Sequence, residues 1–403
     1  MFAILTGTLA GLALGVVSGL IPGIHANTMA GVLLAMQGLL LTALGPVAVG
    51  ASLFAALVTH TFLDIVPSTF FGVPDADTAI TVLPAHALCL EAKGEEAVRV
   101  SAIGSACAVV WVMPLFLLFF LVLPMIQPLI DWGIGILLII VAGLLIVYSD
   151  SPEWAFVVFG VSGLLGLFTF NYSFLAWHTL GDSSILMPLL TGLFGISVLI
   201  TSSEGEMPTQ TFSGLSVDRT SLIRHSASGT IAGAVVGWLP GLSNATANAL
   251  LSFGIDYGQD RDGYIIATSA ANTANAFLGL AALYALSRMR NGVMAALGSM
   301  ELPDVTTLLI AGVAASIVAY LLTIRLAGFA GFFTGLKIRK LSYIVVVFIV
   351  LLTFILSGPF GLAILALATC VGLVPQIVNI RRVFCMGAVM VPVICMSFSI
   401  VLL

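Results

Sequence analysis

The sequence predicts an all-α polytopic membrane protein of about 12 transmembrane segments, in two inverted repeats with broken or re-entrant helices. Three observations carry that prediction. Of 403 residues, 60% are hydrophobic and only 8% charged. Apolar stretches about as long as a bilayer is thick recur along the chain. One glycine-rich, proline-broken motif occurs twice. Soluble domains carry roughly 25% charged residues, so this chain cannot cover a globular surface with polar groups. Thirteen Lys plus Arg against eighteen Asp plus Glu leave a net charge of -5. The basic residues are scattered, and no patch can neutralise a run of phosphates, which excludes nucleic-acid binding.

Apolar segments fall at 3–21, 29–45, 47–66, 100–126, 132–149, 154–170, 185–201, 229–253, 264–286, 304–326, 342–357, 359–378 and 384–402. No Lys or Arg precedes the first of them, so it lacks the charged region of a cleaved signal peptide and reads as the first membrane segment. The longest polar interruption, residues 201–228, mixes Gly, Pro, Ser and both charge signs, the composition of an aqueous loop. It separates a first transmembrane repeat, 1–200, from a second, 229–403. Lys93 and Arg99, Arg219 and Arg224, Lys337 with Arg339 and Lys340, and Arg381 with Arg382 fit one, cytoplasmic, side. The cysteines form no CxxC pair and mostly lie in apolar runs, so neither a disulfide nor a metal site is expected.

The duplicated motif reads GLALGVVSGLIPGIHANT at 11–28 and GTIAGAVVGWLPGLSNAT at 229–246. Without a gap, Gly11, Gly15, Gly19, Pro22, Gly23 and Thr28 fall on Gly229, Gly233, Gly237, Pro240, Gly241 and Thr246. Glycine at every fourth position makes a flat strip where another backbone can approach. The Pro-Gly pair then interrupts the helix and leaves backbone groups that must line a cavity or be buried in protein. Small polar residues follow: His25, Asn27 and Thr28 in one half, Ser243, Asn244, Thr246 and Asn248 in the other. Paired interruptions at corresponding places in two halves are the sequence-level pointer to a transporter's substrate site.

A second, weaker pairing lays the segment from His60 over that near Asn272, with His60 on Asn275, Phe62 on Phe277 and Leu63 on Leu278. Pro67, Gly72, Pro74 and Pro84 crowd the first member, which predicts paired re-entrant or half-length helices. Three acids, Asp64, Asp75 and Asp77, lie in or beside it. Ionisable groups at membrane depth default to function; Asp75 and Asp77 also fit an interfacial turn. Asn272, Thr273 and Asn275 must find partners in an apolar run, whether in helix packing or in substrate.

GLIPGIHANTMA, GVPDADTAITVLPAHALCLEAKGEEAVRVSAIGSA, GWLPGLSNATANALLSFGIDYGQDR and AANTANAFLGLAAL, in this order, resemble the large permease subunit of the tripartite tricarboxylate transporters. The resemblance covers most of residues 1–330. It implies uptake of a di- or tricarboxylate driven by a proton or sodium gradient, in a multi-pass cell-membrane protein. It also implies a small membrane subunit and an extracytoplasmic solute-binding protein as partners; homodimerisation is open.

The resulting expectation is an ion-coupled secondary transporter whose half-helix N-termini aim free N–H groups at one midplane anion site. Gly23, His25, Asn27, Thr28, Gly241, Ser243, Asn244, Thr246, Asn272 and Asn275 would bind substrate. Asp64, Asp75, Asp77 and His60 would handle the coupling ion, Na+ or H+, with no other cofactor. A polyprenyl-phosphate or other anionic-lipid translocase is the alternative, since helix N-termini also hold phosphate. The sequence holds no HExxH or GxGD motif and no Ser/His dyad motif, so no enzymatic activity is expected.

Overall fold

The structure is a computed structural model that describes residues 1–21, 37–72, 82–177, 185–201, 208–239, 242, 244–255, 259–289, 291–335 and 338–400. Among them every regular element is helical. The first half holds α1 (Phe2–Leu20), α2 (Gln37–Leu63), α3 (Ile65–Phe71), α4 (Val82–Leu90), α5 (Gly94–Val147), α6 (Pro152–Asn171), α7 (Leu186–Leu190) and α8 (Ser197–Thr201). The second holds α9 (Arg219–Trp238), α10 (Asn244–Gly254), α11 (Arg261–Leu286), α12 (Gly292–Gly298), α13 (Val305–Ala327), α14 (Ala330–Thr334), α15 (Ile338–Ile377) and α16 (Gly387–Ser397). Seven helices among the described residues are long and apolar enough to cross a bilayer.

Sequence breaks explain most helix boundaries. Gly45 (φ 75°) before Pro46 kinks α2, and Gly358 (φ 66°) before Pro359 kinks α15, at the expected junctions between apolar segments. Asp218, Asp260, Asn291 and Asp304 each accept a hydrogen bond from a backbone N–H of the helix they start, satisfying donors with no intrahelical partner. The Asp218 cap starts α9 ten residues ahead of the expected segment at 229, so the inter-repeat loop is shorter than its composition suggests. The expected spans 100–126 and 132–149 run together as one 54-residue helix, α5. At 1.5 Å per residue it is about 80 Å long, over twice the hydrocarbon thickness. Its outer face carries exposed Leu117, Leu121, Met125, Leu129 and Trp132, the surface of a helix solvated by lipid.

The expectation of paired half-length helices is corrected for the Asn272 member, while the proline-rich member holds two short helices, α3 and α4, on either side of Gly72. α11 is continuous over 26 residues. Residues 46–71 have the same length, with only a turn at Asp64 separating α2 from α3. Pro67 is tolerated because the amide bond it lacks would fall across that turn. Both stretches end on a residue in the left-handed region, Gly72 at φ 60° and Ser287 at φ 54°.

The glycine strips seat these helices. A Cβ added at Gly7, Gly11, Gly15 or Gly19 would meet Ala48, Ser52, Ala56 with Thr59, or Leu63 of α2, and one added at Gly229, Gly233 or Gly237 would meet Ala267, Ala271 or Asn275 of α11. Contacts advance together along both members, so α1 runs parallel to α2 and α9 parallel to α11. Gly19 faces the His60 carbonyl at 3.4 Å and Gly237 faces the Asn275 carbonyl at 3.4 Å, the register expected from the second sequence pairing. Between the halves, Phe54 meets Phe277 edge-on at 5.3 Å, the Thr61 and Thr273 hydroxyls lie 3.2 Å apart, and Asp64 reaches Asn272. As α2 advances its partner on α11 recedes, so these two helices cross antiparallel.

Polar contacts finish both ends of α11. At its start Arg261 pairs with Glu91 at 2.6 Å and Asp260 with His225 at 3.0 Å. Beyond its other end Arg288 pairs with Asp131, which also accepts from Gln127 Nε2, while Gln127 Oε1 accepts from Trp238 Nε1. The linker is fastened to the first half as well. Gln210 Nε2 donates to the Cys89 carbonyl, Gly94 N–H donates to Gln210 Oε1, and Arg99 lies 4.7 Å over the Phe212 ring.

Candidate functional site

Both duplicated motifs end their helix just before the proline. Ile21 (φ -93°, ψ 110°) and Leu239 (φ -71°, ψ 124°) are extended, as a residue preceding proline prefers. In the second half Leu239 and Leu242 are non-helical and helix resumes at Asn244, so α9 and α10 are separate helices. Pro22, Gly23, His25, Asn27, Thr28, Asp75, Asp77, Pro240, Gly241 and Ser243 lie outside the described residues.

The remaining candidates converge. Asp64 is only 4% exposed, in the turn between α2 and α3. Its Oδ2 accepts from Asn272 Nδ2 at 2.6 Å, and Asn272 Oδ1 accepts from Asn244 Nδ2 at 2.5 Å. Three polar side chains distant in sequence thus form one chain from the α2–α3 turn, through the middle of α11, to the first turn of α10. The Asp64 oxygen accepts from the Asn272 amide, which turns the Asn272 oxygen to Asn244, so both amides run in one direction.

Around this chain lie further buried polar groups. His60 Nδ1 is 3.2 Å from the Ser18 hydroxyl, which ties α2 to α1 one turn before Asp64. Tyr264, fully enclosed, donates its hydroxyl to the Asn248 carbonyl at 2.8 Å and holds α10 against α11. Asn275 is half-buried and faces Gly237, on the α9 side, so the structure does not join it to the Asp64 chain. Thr246 is fully buried. Ser18, Thr61 and Tyr264 were not singled out in the sequence. Hydroxyls in apolar helices usually satisfy themselves on the preceding turn, so their spacing alone carries no signal.

The donor set limits the chemistry. No group of three or more His, Cys, Asp or Glu capable of holding a metal ion occurs among the described residues. One carboxylate, two amides and hydroxyls beside a helix start suit hydrogen-bonding and weak ion recognition.

The family model described as "Tripartite tricarboxylate transporter TctA family" matches residues 5–387. Among curated proteins, the "Uncharacterized protein MJ1079" of Methanocaldococcus jannaschii is 27% identical over 337 residues, covering 83% of this chain and 81% of its own. No solved structure matches. With the family match spanning both glycine strips, both Pro-Gly pairs and the residues of the Asp64–Asn272–Asn244 chain, this polytopic membrane protein belongs to the tripartite tricarboxylate transporter TctA family.

Proposed function

We propose that this chain is the ion-coupled permease for an organic anion, a di- or tricarboxylate, in the cell membrane. It works with a small membrane subunit and an extracytoplasmic solute-binding protein. The observation that supports this most is the buried Asp64–Asn272–Asn244 chain, which joins the two halves at the start of the helix that follows a Pro-Gly interruption. In this reading the halves are inverted repeats. Each supplies a glycine-stripped helix, an interruption and a long helix, and α2 crossing α11 antiparallel gives opposite membrane orientations. The N–H groups at the start of α10 and those after Pro22-Gly23 bind the anion with the positive ends of their helix dipoles, without Lys or Arg in the site. Alternating access then rocks the halves about the shared site.

The test is uptake of labelled citrate and of smaller dicarboxylates into proteoliposomes, with inward sodium or proton gradients and with the partner subunits present. Gly23→Val and Gly241→Val should each abolish uptake while leaving insertion intact, because a β-branched residue crowds the interruption and restricts its dihedrals. Undiminished uptake by both variants refutes the half-helix anion site. A prenyl-phosphate flip assay on the same vesicles decides the lipid alternative.

A further inference from the structure

The free end of the buried amide chain is an acceptor. Asp64 Oδ2 accepts from Asn272 Nδ2 at 2.6 Å, and Asn272 Oδ1 accepts from Asn244 Nδ2 at 2.5 Å. Among the described residues Asn244 Oδ1 has no hydrogen-bond partner, although its side chain is 0% exposed. Asn244 is the first residue of α10, the helix start whose N–H groups the permease reading gives to the anion. With an unpaired oxygen at one end and a carboxylate at the other, the chain repels an anion from the place where one is to bind.

The same chain can run the other way. An amide carries an oxygen on one side and an NH2 on the other in nearly the same shape, so a half-turn about its terminal torsion exchanges them in place. The Asp64 end sets the direction. A carboxylate only accepts, which requires the direction seen, whereas a carboxylic acid also donates. A proton on Asp64 Oδ2 donates to Asn272 Oδ1, turns Asn272 Nδ2 to Asn244 Oδ1, and leaves the Asn244 NH2 as the free end. The unpaired oxygen is then satisfied, the negative charge is gone, and the helix start gains a donor.

We propose that Asn272 is the positioning residue of an amide relay, through which protonation of Asp64 turns Asn244 from an acceptor into a donor for the anion at the start of α10. This deepens the permease reading by making the coupling ion a proton, and it rests on that reading for the anion. A proton acts within the 2.6 Å contact between Asp64 and Asn272, whereas a sodium ion between them would have to part it. Gly19 of α1, Asn272 of α11 and Ser68 of α3 face Asp64, none of them titratable, and His60, one turn earlier on α2, meets Ser18 through Nδ1. An anion that pairs with the turned NH2 favours the protonated chain in return, a coupling that is reciprocal by linkage.

Infrared difference spectra of the purified protein on acidification test the relay with no anion present, so its failure is separable from failure of the anion reading. Wild type should gain a protonated-carboxyl band that Asp64→Asn abolishes and Asn272→Leu shifts, because the acid loses its acceptor. With succinate, malate or citrate added, wild type should take up one proton for each anion bound and lose affinity about tenfold per pH unit on the alkaline side, as one coupled proton requires. Asp64→Asn, whose amide can donate at any pH, keeps the shape of the turn and should bind with no proton uptake and a flat pH profile. A missing Asp64 band, a band that Asn272→Leu leaves in place, or anion binding by wild type without proton uptake each overturns the relay. So does an anion affinity that follows sodium at constant pH.

Discussion

The glycine strips make a quantitative demand on packing. At Gly15 an added Cβ would lie 2.5 Å from Thr59 Cβ and 2.7 Å from the Ala56 carbonyl oxygen; at its counterpart Gly233 it would lie 2.9 Å from Ala274 Cβ and 3.0 Å from the Ala271 carbonyl carbon. Ordinary contact begins at 3.4 Å, so Gly15→Ala must separate α1 from α2 by about 0.7 to 0.9 Å. Much of what it meets is backbone or β-carbon, which no rotamer change can move. Forcing a methyl into such a seam costs roughly 1–3 kcal/mol. Gly160, inside α6, has nothing within 4 Å of its added Cβ. There the helix propensity of alanine dominates, and Gly160→Ala should be neutral or stabilising by up to about 1 kcal/mol. Thermal unfolding in detergent, followed by intrinsic fluorescence of the five tryptophans, should show lowered midpoints for Gly15→Ala and Gly233→Ala and none for Gly160→Ala. Midpoints for the first two at or above that of Gly160→Ala would refute the parallel α1–α2 and α9–α11 seams.

Asp64→Asn keeps the shape of the buried turn and removes its charge; it should leave substrate exchange largely intact and abolish accumulation against a gradient, and continued concentration with unchanged ion dependence would make Asp64 structural. Gln210→Ala removes a donor to Cys89 and an acceptor for Gly94, each contact worth about 0.5–1.5 kcal/mol, and should speed proteolytic cleavage of the linker at 208–218; unchanged cleavage means the strap is held elsewhere. Asp218, capping α9, has its carboxyl held below its ordinary value of 3.8 by the Ser221 and Thr220 amides. Its contribution is therefore present above that value and lost as pH falls through the lowered one. Asp218→Asn, which still caps, should flatten only this acid-side loss in a thermal pH scan, and an identical acid limb in both proteins would refute it.

The membrane class, the two strips and the kinks at Gly45 and Gly358 were legible because each depends on neighbours in the chain. Period-four glycine, proline after glycine and long apolar runs are local signals, and the backbone obeys them. The register of His60 on Asn275 was legible for a related reason, since each faces an equivalent glycine on its own partner helix. What failed was length and continuity. The gap between the apolar segments 100–126 and 132–149 read as a division into two spans, yet one helix runs through it. Pro67 read as a break, but the turn at Asp64 absorbs it. The polar start of α9 read as loop because its Ser, Thr and Arg residues are poor hydrophobic markers, although Asp218 caps a helix there. The contact between Asp64 and Asn272 spans 208 residues, and no pattern near either residue announces it.

That contact also shows where the two halves differ. In the shared register the position matching Asp64 is Gly279, since Gly19 approaches the Asp64 amide at 3.5 Å and Gly237 approaches the Gly279 amide at 3.4 Å. The position matching Asn272 is Leu57, and Thr61 matches Ala276. The carboxylate therefore comes from the first half only and the amide that receives it from the second only. The two halves share the strip and the long helix and differ in the residues that make the polar chain. Two identical halves, with a carboxylate at both 64 and 279 and an amide at both 57 and 272, would make this contact twice across the crossing of α2 and α11. The chain makes it once, because Gly279 and Leu57 stand at the matching positions. The scaffold of strip and long helix thus stays nearly two-fold around a polar chain that is not.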